Sequence, residues 1–263
     1  MEQFEVIEDR PHPSGASTVS DLVRASEAAL VSEKVTYRRL AEPANDPRYY
    51  CPAQMGDYTY VPSFSNRPSH DQHPRVPRHV FRDYRSLASM GEIKIEFKSY
   101  QGSLRLASFY SGWATGLYLI SDDLLDVVLR FDPDGLEIAT PSIVGECGAK
   151  LEGYRVVMPT RVIDATDITR TDIAVQRYVR RPEVGPSVSI VDYGHGPVLR
   201  DDISAPTFVE TYGGQWFWSL EIIHAVVAAG IRGIRFVHPY HQSMSTYEIR
   251  LPAEGDLRYS DDR

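Results

Sequence analysis

Strand-like segments outnumber helix-like ones in this chain of 263 residues and do not alternate with them, which restricts its architecture more than any other feature. Ile93, Ile95 and Phe97 alternate with Lys94, Glu96 and Lys98, the two-residue period of a strand with one buried face. Leu104, Leu106 and Ser108 continue the pattern after Gln101-Gly102, so a hairpin or meander starts there. Residues 154–162, 173–179 and 187–191 are rich in β-branched side chains between Pro and Gly punctuation, and residues 234–237 and 247–251 add two more strands. A doubly wound parallel sheet needs strand and helix to alternate. The expectation is therefore an α+β fold, mainly antiparallel sheet with a few packed helices. No internal repeat is legible.

Four helices are expected. Leu22, Val23, Ser26, Ala29 and Leu30 recur at helical spacing over residues 20–32, behind a Ser20 cap. Val80, Phe81, Tyr84, Leu87 and Ala88 share a face over residues 78–90, with Gly91 as the stop. Ser121 caps a third helix over residues 122–130, whose first-turn Asp122 and Asp123 complement the helix dipole; Asp132-Pro133-Asp134-Gly135 closes it as a turn. The fourth runs over residues 216–229 with Leu220, Ile223 and Val227 on one stripe and Gly230 at its end. Residues 42–77 hold seven prolines, a density that few regular elements survive. The chain accordingly divides into a proline-rich N-terminal lobe, residues 1–91, with one or two helices, and an α+β domain, residues 92–263.

With 36 acidic residues against 28 Lys and Arg, the formal charge of −8 argues against a general nucleic-acid binder, which needs a basic excess to neutralise phosphates. Cys51 and Cys147 are too few for a disulfide framework and suit a reducing compartment. The first residues lack the basic start and apolar run of a secretory leader. The longest apolar stretch, around residues 222–231, is broken by His224 and too short to span a membrane. A cytoplasmic protein without membrane contact is expected.

Several residue sets could carry chemistry. His70/His73 and His238/His241 each place two imidazoles three apart, with His79 nearby, and two such pairs could hold zinc, although no HExxH helix supports them. Cys147, between small residues, could act as a nucleophile with His195 as base and Asp164 as its orienter. That frame is not the G-x-S-x-G of a hydrolase elbow, yet it leaves a cysteine- or metal-dependent hydrolase as the alternative reading. Asp122, Asp123, Asp126, Asp132, Asp134 and Glu137 crowd one stretch against the single base Arg130, forming an acidic face. Tyr212, Trp216, Phe217 and Trp218 make the densest aromatic patch; with Trp216 turned inward, Phe217 or Trp218 is left for a partner, together with Tyr212.

Three runs occur in order: Leu117-Tyr118-Leu119-Ile120-Ser121-Asp122-Asp123-Leu124-Leu125, then Tyr154-Arg155-Val156-Val157-Met158-Pro159 continuing to Ile163-Asp164-Ala165-Thr166-Asp167, then Ala228-Ala229-Gly230-Ile231-Arg232-Gly233-Ile234-Arg235-Phe236. Together they resemble the immunity-protein family eleven of bacterial polymorphic toxin systems, in which a Ser-Asp-x-Leu helix start, an Asp-Ala-Asp strand end and a closing Ala-Gly-Ile-x-Gly-x-x-Phe recur. The resemblance covers roughly residues 116–237. It implies a protein that binds a cognate toxin domain inside the producing cell and blocks it, with no cofactor and no catalytic residues. The expected contacts are the acidic helix start with Asp122, Asp123, Asp126, Asp132 and Asp134, joined by Tyr212, Phe217 and Trp218 or by the proline-rich loop at residues 45–77.

Overall fold

A computed structural model describes residues 7–27, 34–42, 48–54, 63–64, 87, 92–96, 106–111, 116–145, 150–178, 188–194, 196–239, 250–251 and 255–256. Three helices lie among them: α1 (Val19–Glu27), α2 (Asp122–Phe131) and α3 (Leu220–Ala228). The strands, numbered along the chain, form four sheets and one isolated pair. The first sheet orders β1 (Ile7–Arg10), β2 (Lys34–Tyr37), β13 (Ile173–Tyr178) and β14 (Val188–Tyr193). The second orders β10 (Lys150–Leu151), β9 (Ser142–Val144), β5 (Lys94–Glu96) and β4 (Ser63–Phe64). In the third, β6 (Phe109–Ser111), β7 (Tyr118–Ser121), β11 (Tyr154–Pro159) and β8 (Leu136–Ala139) follow one another. The fourth runs β12 (Val162–Ile163), β15 (Thr207–Glu210), β16 (Trp216–Ser219), β3 (Tyr49–Gln54), β17 (Ile234–Val237), and β18 (Arg250–Leu251) pairs with β19 (Gly255–Asp256). Only the β1–β2, β5–β9 and β12–β15 ladders are parallel among those described. The fold is α+β with predominantly antiparallel pairing, as the strand-rich sequence requires.

The third and fourth sheets are two copies of one unit. In the third, β11 lies between β7 and β8, with Ser121 opposite Tyr154 and Ala139 opposite Val156. In the fourth, β3 lies between β16 and β17 in the same register, with Ser219 opposite Tyr49 and Val237 opposite Cys51. The outer ladders match as well: Ile120 faces Phe109 as Trp218 faces Thr207. Each helix leaves its strand through a serine of the same extended backbone, Ser121 at φ −68°, ψ 154° and Ser219 at φ −66°, ψ 154°. Its first N–H then reaches the residue before the central strand: Asp122 donates to the Gly153 carbonyl at 2.8 Å, Leu220 to that of Arg48 at 3.0 Å. Even the amides of the two serines find equivalent acceptors, Ser108 O and Pro206 O, both at 2.9 Å.

The central strands are exchanged. β3 precedes the β6–β7–α2–β8 copy in the chain but completes the sheet of the other, while β11 precedes β15–β16–α3–β17 and completes the first. This corrects the expectation of no repeat. Along residues 118–139 and 216–237 the two copies share Ser121/Ser219, Val128/Val226 and Gly135/Gly233, with apolar character kept at Leu124/Ile222, Leu125/Ile223 and Leu136/Ile234. Strand pairing also runs across residue 91: β2 pairs with β13, and β3 with β16 and β17.

Burial follows the duplication. Helices α2 and α3 pack together within one apolar core that takes Ile120, Val157, Leu124 and Val128 from one copy and Trp218, Ile222, Val226 and Phe236 from the other. The opposite faces of the two sheets bury equivalent positions in separate clusters: Tyr110, Leu119, Tyr154 and Val156 on one, Phe208, Phe217, Tyr49 and Cys51 on the other. Trp216, Phe217 and Trp218 therefore form a strand covered on both faces, and α3 begins only at Leu220. The helix expected from Trp216 is corrected by the β preference of a Trp-Phe-Trp run inside a two-sided sheet, where alternation disappears. Within the proline-rich segment, Tyr49–Gln54 forms a strand. β3 accommodates Pro52 because over Cys51–Gln54 it pairs with β17 alone among the named strands, so it is not asked to donate to both sides. The helix expected over residues 78–90 lies outside the described residues except for Leu87.

Candidate functional site

Helix α2 is built to present charge. Ser121 accepts from the Leu124 N–H at 3.4 Å, Asp122 and Asp123 stand at the positive helix end, and Arg130 stands in the last turn. Leu124, Leu125, Val127 and Val128 are buried, which turns Asp123, Asp126 and Arg130 outward. Beside this face lies an open groove of about 500 Å³, bounded by Asp123, Asp126 and Arg130, by Gly230 and Arg232 in the turn after α3, and by Ser108. Asp122 is partly drawn away from it, toward Arg155 at 3.3 Å. At the equivalent positions of α3 the surface reads Leu220, Glu221, His224 and Ala228. One carboxylate is enough for the same helix to pack in the same unit.

Asp132 and Asp134 part company. Asp132 is 2% exposed and accepts both guanidinium nitrogens of Arg161, at 2.7 and 3.1 Å, together with the N–H and hydroxyl of Thr207 at 3.2 and 2.7 Å. This bond set ties the turn after α2 to β15 of the other copy and holds the Arg161 guanidinium in its charged form. The expectation that Asp132 contributes to an accessible acidic face is corrected: four donors spend its lone pairs inside the protein. Asp134 stays exposed. Phe217 and Trp218, expected to be available to a partner, are both 0% exposed, and Tyr212 is half-buried with its hydroxyl 2.9 Å from Ser20 Oγ.

Of the residues of the hydrolase alternative, only Asp164 is among the described residues. Cys147 and His195 lie outside them. Asp164 is occupied otherwise: its two oxygens accept the Val19 and Ser20 N–H groups at 3.3 and 2.9 Å, satisfying the first donors of α1. Thr18, rather than Ser20, is the cap of that helix. Its hydroxyl accepts the Asp21 N–H at 3.2 Å while the Asp21 carboxylate takes the Thr18 N–H at 3.1 Å, a reciprocal capping box. Of the two histidine pairs, only His238 is described; it is buried, its ring edge-on to Tyr50 at 5.9 Å. Among the described residues no group of three or more His, Cys, Asp or Glu is arranged to hold a metal ion, and no helix is long and apolar enough to cross a membrane.

Sequence reasoning missed a second polar centre. Glu210 ends β15 and is 0% exposed, yet it carries a carboxyl group. Its Oε2 accepts the Tyr212 N–H at 2.8 Å and the Gly213 N–H, and its Oε1 accepts the Thr166 hydroxyl at 3.3 Å. Burial dominates these donors and, with the Asp164 charge, pushes its pKa up to about 7. Tyr193 packs against the same spot and its phenol is raised well above its ordinary value, chiefly by burial and then by the Glu210 charge. The signal was present in Thr207-Phe208-Val209-Glu210-Thr211-Tyr212-Gly213-Gly214, a lone acid at the end of an apolar strand before a glycine pair. No protein-family model and no curated protein matches the chain.

Proposed function

We propose that the protein is a cytoplasmic immunity protein that binds a cognate toxin domain and neutralises it by direct contact, with the α2 face around Asp123 and Asp126 as the meeting surface. The observation that carries this reading is the internal comparison between the two copies. Core positions of α2 and α3 match in kind, whereas Asp126 and Asp122 of α2 stand where α3 has His224 and Leu220. Asp122 is engaged by Arg155, but packing in this unit does not demand the Asp126 carboxylate, which is left outward and available for recognition. The groove beside it gives a partner segment somewhere to lie, and although its rim carries Arg130 and Arg232 as well, Asp123 and Asp126 offer two outward carboxylates to basic groups of a partner. The order of the three motifs that resemble the immunity family adds to this reading.

The test is a protection and binding assay with the toxin encoded beside this protein's gene. Asp123→Lys with Asp126→Lys is expected to lower the association rate at low ionic strength by about tenfold or more, as for reversal of rim charges, with the difference shrinking at high salt. Glu221→Lys, at the equivalent position of α3, is the control and should leave association near wild type. Unchanged kinetics in the double variant, with its fold intact, would remove the α2 face from the proposal, and absence of any neighbouring toxin gene would remove the immunity reading itself.

A further inference from the structure

We propose that Glu210 is the proton-sensitive element of a latch that holds the N-terminal end of α1 against the β12–β15 edge of the fourth sheet. Three connections make it one unit. Asp164 follows Ile163, which pairs with Glu210 itself in the β12–β15 ladder, so the two carboxyl groups lie one residue apart in register and within electrostatic reach of each other. Asp164 holds the first two N–H groups of α1. Tyr212, in the turn whose amides grip Glu210, reaches the same helix turn through Ser20 Oγ. Any movement that lets water reach Glu210 must disturb the Thr211–Gly214 turn or the start of α1.

The groups facing Glu210 decide the sign. Asp164 faces it from the end of β12, Tyr193 from β14 and Thr166 from the strand-like bridge to Leu199, while its own turn supplies two N–H groups. The turn also carries Tyr212, and α1 contributes Ser20 and, at one remove, Asp21, whose carboxylate is turned to its own cap at Ser17 and Thr18. No cation is in contact with Glu210 among the described residues. When its carboxyl loses the proton, a second negative charge appears near Asp164 on a fully buried side chain, and no described cation relieves it. Protonated, Glu210 adds no charge to the carboxylates of Asp164 and Asp21 at the helix end, where the dipole favours them. The closed latch thus binds a proton that the open one releases, and closure weakens as pH rises.

Amide hydrogen exchange on the full chain reads this directly, with α2 as internal reference and intrinsic rates corrected for pH. A group that titrates near 7 when closed and near 4.5 when solvated makes opening about tenfold more favourable at pH 8 than at pH 6. Protection of Val19–Glu27 relative to α2 should fall by that factor in the wild type. It should stay flat in Glu210→Gln, whose amide oxygen can keep the Tyr212 and Gly213 donors. A constant ratio in the wild type, or a Glu210→Gln protein with the same pH response, overturns the proposal. Should that variant fail to fold, carbon-13 NMR of the wild-type glutamate carboxyls decides. A Glu210 midpoint in the ordinary carboxylate range, or one not matched by shifts of the Val19 and Ser20 amides, is equally fatal.

Discussion

Replacing Asp132 by alanine separates a structural carboxylate from a recognition residue. Its side chain is 3% exposed and accepts four hydrogen bonds, two from Arg161 and two from Thr207. The Arg161 side chain is 34% exposed, so its half of the pair can be rehydrated and is worth only about 1 kcal/mol after screening. Thr207 has no such escape. At 0% exposure its N–H is left without an acceptor at a cost of about 1–3 kcal/mol, and its hydroxyl adds about 1 kcal/mol. The sum is about 3–5 kcal/mol, which for a chain of this length lowers Tm by about 10 °C. Thermal unfolding followed by circular dichroism in one buffer is the assay, with Asp134→Ala as an exposed neighbour expected to stay within about 0.5 kcal/mol. Asp132→Asn, which keeps an acceptor for Thr207, should fall between the two. If Asp132→Ala melts within 2 °C of wild type while its partner no longer binds, the bonding argument is refuted and Asp132 belongs to the contact surface after all.

Gly233→Ala should cost about 3 kcal/mol or more, because at φ +80° a new Cβ would sit 2.6 Å from the Ala107 Cα and 2.8 Å from the Ser108 amide nitrogen. Gly230→Ala, also at positive φ but with open space around its Cβ, should cost only about 1–2 kcal/mol in the same melts, and equal effects would show that the close approach is not what selects glycine. Tyr154→Phe and Tyr49→Phe should destabilise by similar amounts, about 1 kcal/mol each, since both hydroxyls donate to a backbone carbonyl ahead of an outer strand, Ala107 O at 2.9 Å and Ile203 O at 3.0 Å. Burial pushes the Tyr154 phenol up to about 12. Because the folded state keeps that proton beyond the ordinary value of 10.0, the contribution of Tyr154 is complete below pH 10 and lost as pH rises toward 12; the difference in phenolate absorbance between wild type and Tyr154→Phe should be small near pH 10 and develop around pH 12.

What could be read in the amino-acid sequence was whatever depends on neighbours in the chain. Ser121 followed by Asp122 and Asp123 is a local cap-and-dipole signal, and α2 stands where it was expected with Asp123 and Asp126 outward, because Leu124, Leu125 and Val128 define its inner face at helical spacing. β13 and β14 were legible for the same reason. The misses share the opposite cause. Trp216-Phe217-Trp218 is an apolar run whose two faces are each covered by residues distant in sequence, and such a run has no period by which strand and helix can be told apart. Asp132 looks like its exposed neighbours until Arg161 and Thr207 come up beside it, and Glu210 looks like a surface acid until its turn folds back over it.

The duplication was hidden by its own economy. A repeat is legible when it conserves side chains, but here the two copies conserve register, and register is a property of pairs of strands. Ser121 and Ser219 remain because each begins a helix at an extended backbone. Gly135 and Gly233 remain because each turn leaves no room for a side chain: a Cβ at one would meet the Asp132 carboxylate, at the other the backbone of Ala107. Elsewhere the requirement is only apolar volume, which Leu, Ile, Val and Trp all satisfy. Exchange of the central strands then removes the remaining clue, since Tyr49–Gln54 and Tyr154–Pro159 each lie far along the chain from the sheet they complete. An arrangement in which each half borrows its middle strand from the other leaves neither half a complete sheet of its own. The surfaces of α2 and α3 were therefore held to one packing geometry while their outward residues diverged. Where the two helices differ, the fold accounts for one position and not the other: Asp122 pairs with Arg155, whereas Leu220 packs on the core that holds Tyr50, the residue equivalent to Arg155, while the change from Asp126 to His224 has no counterpart in the packing.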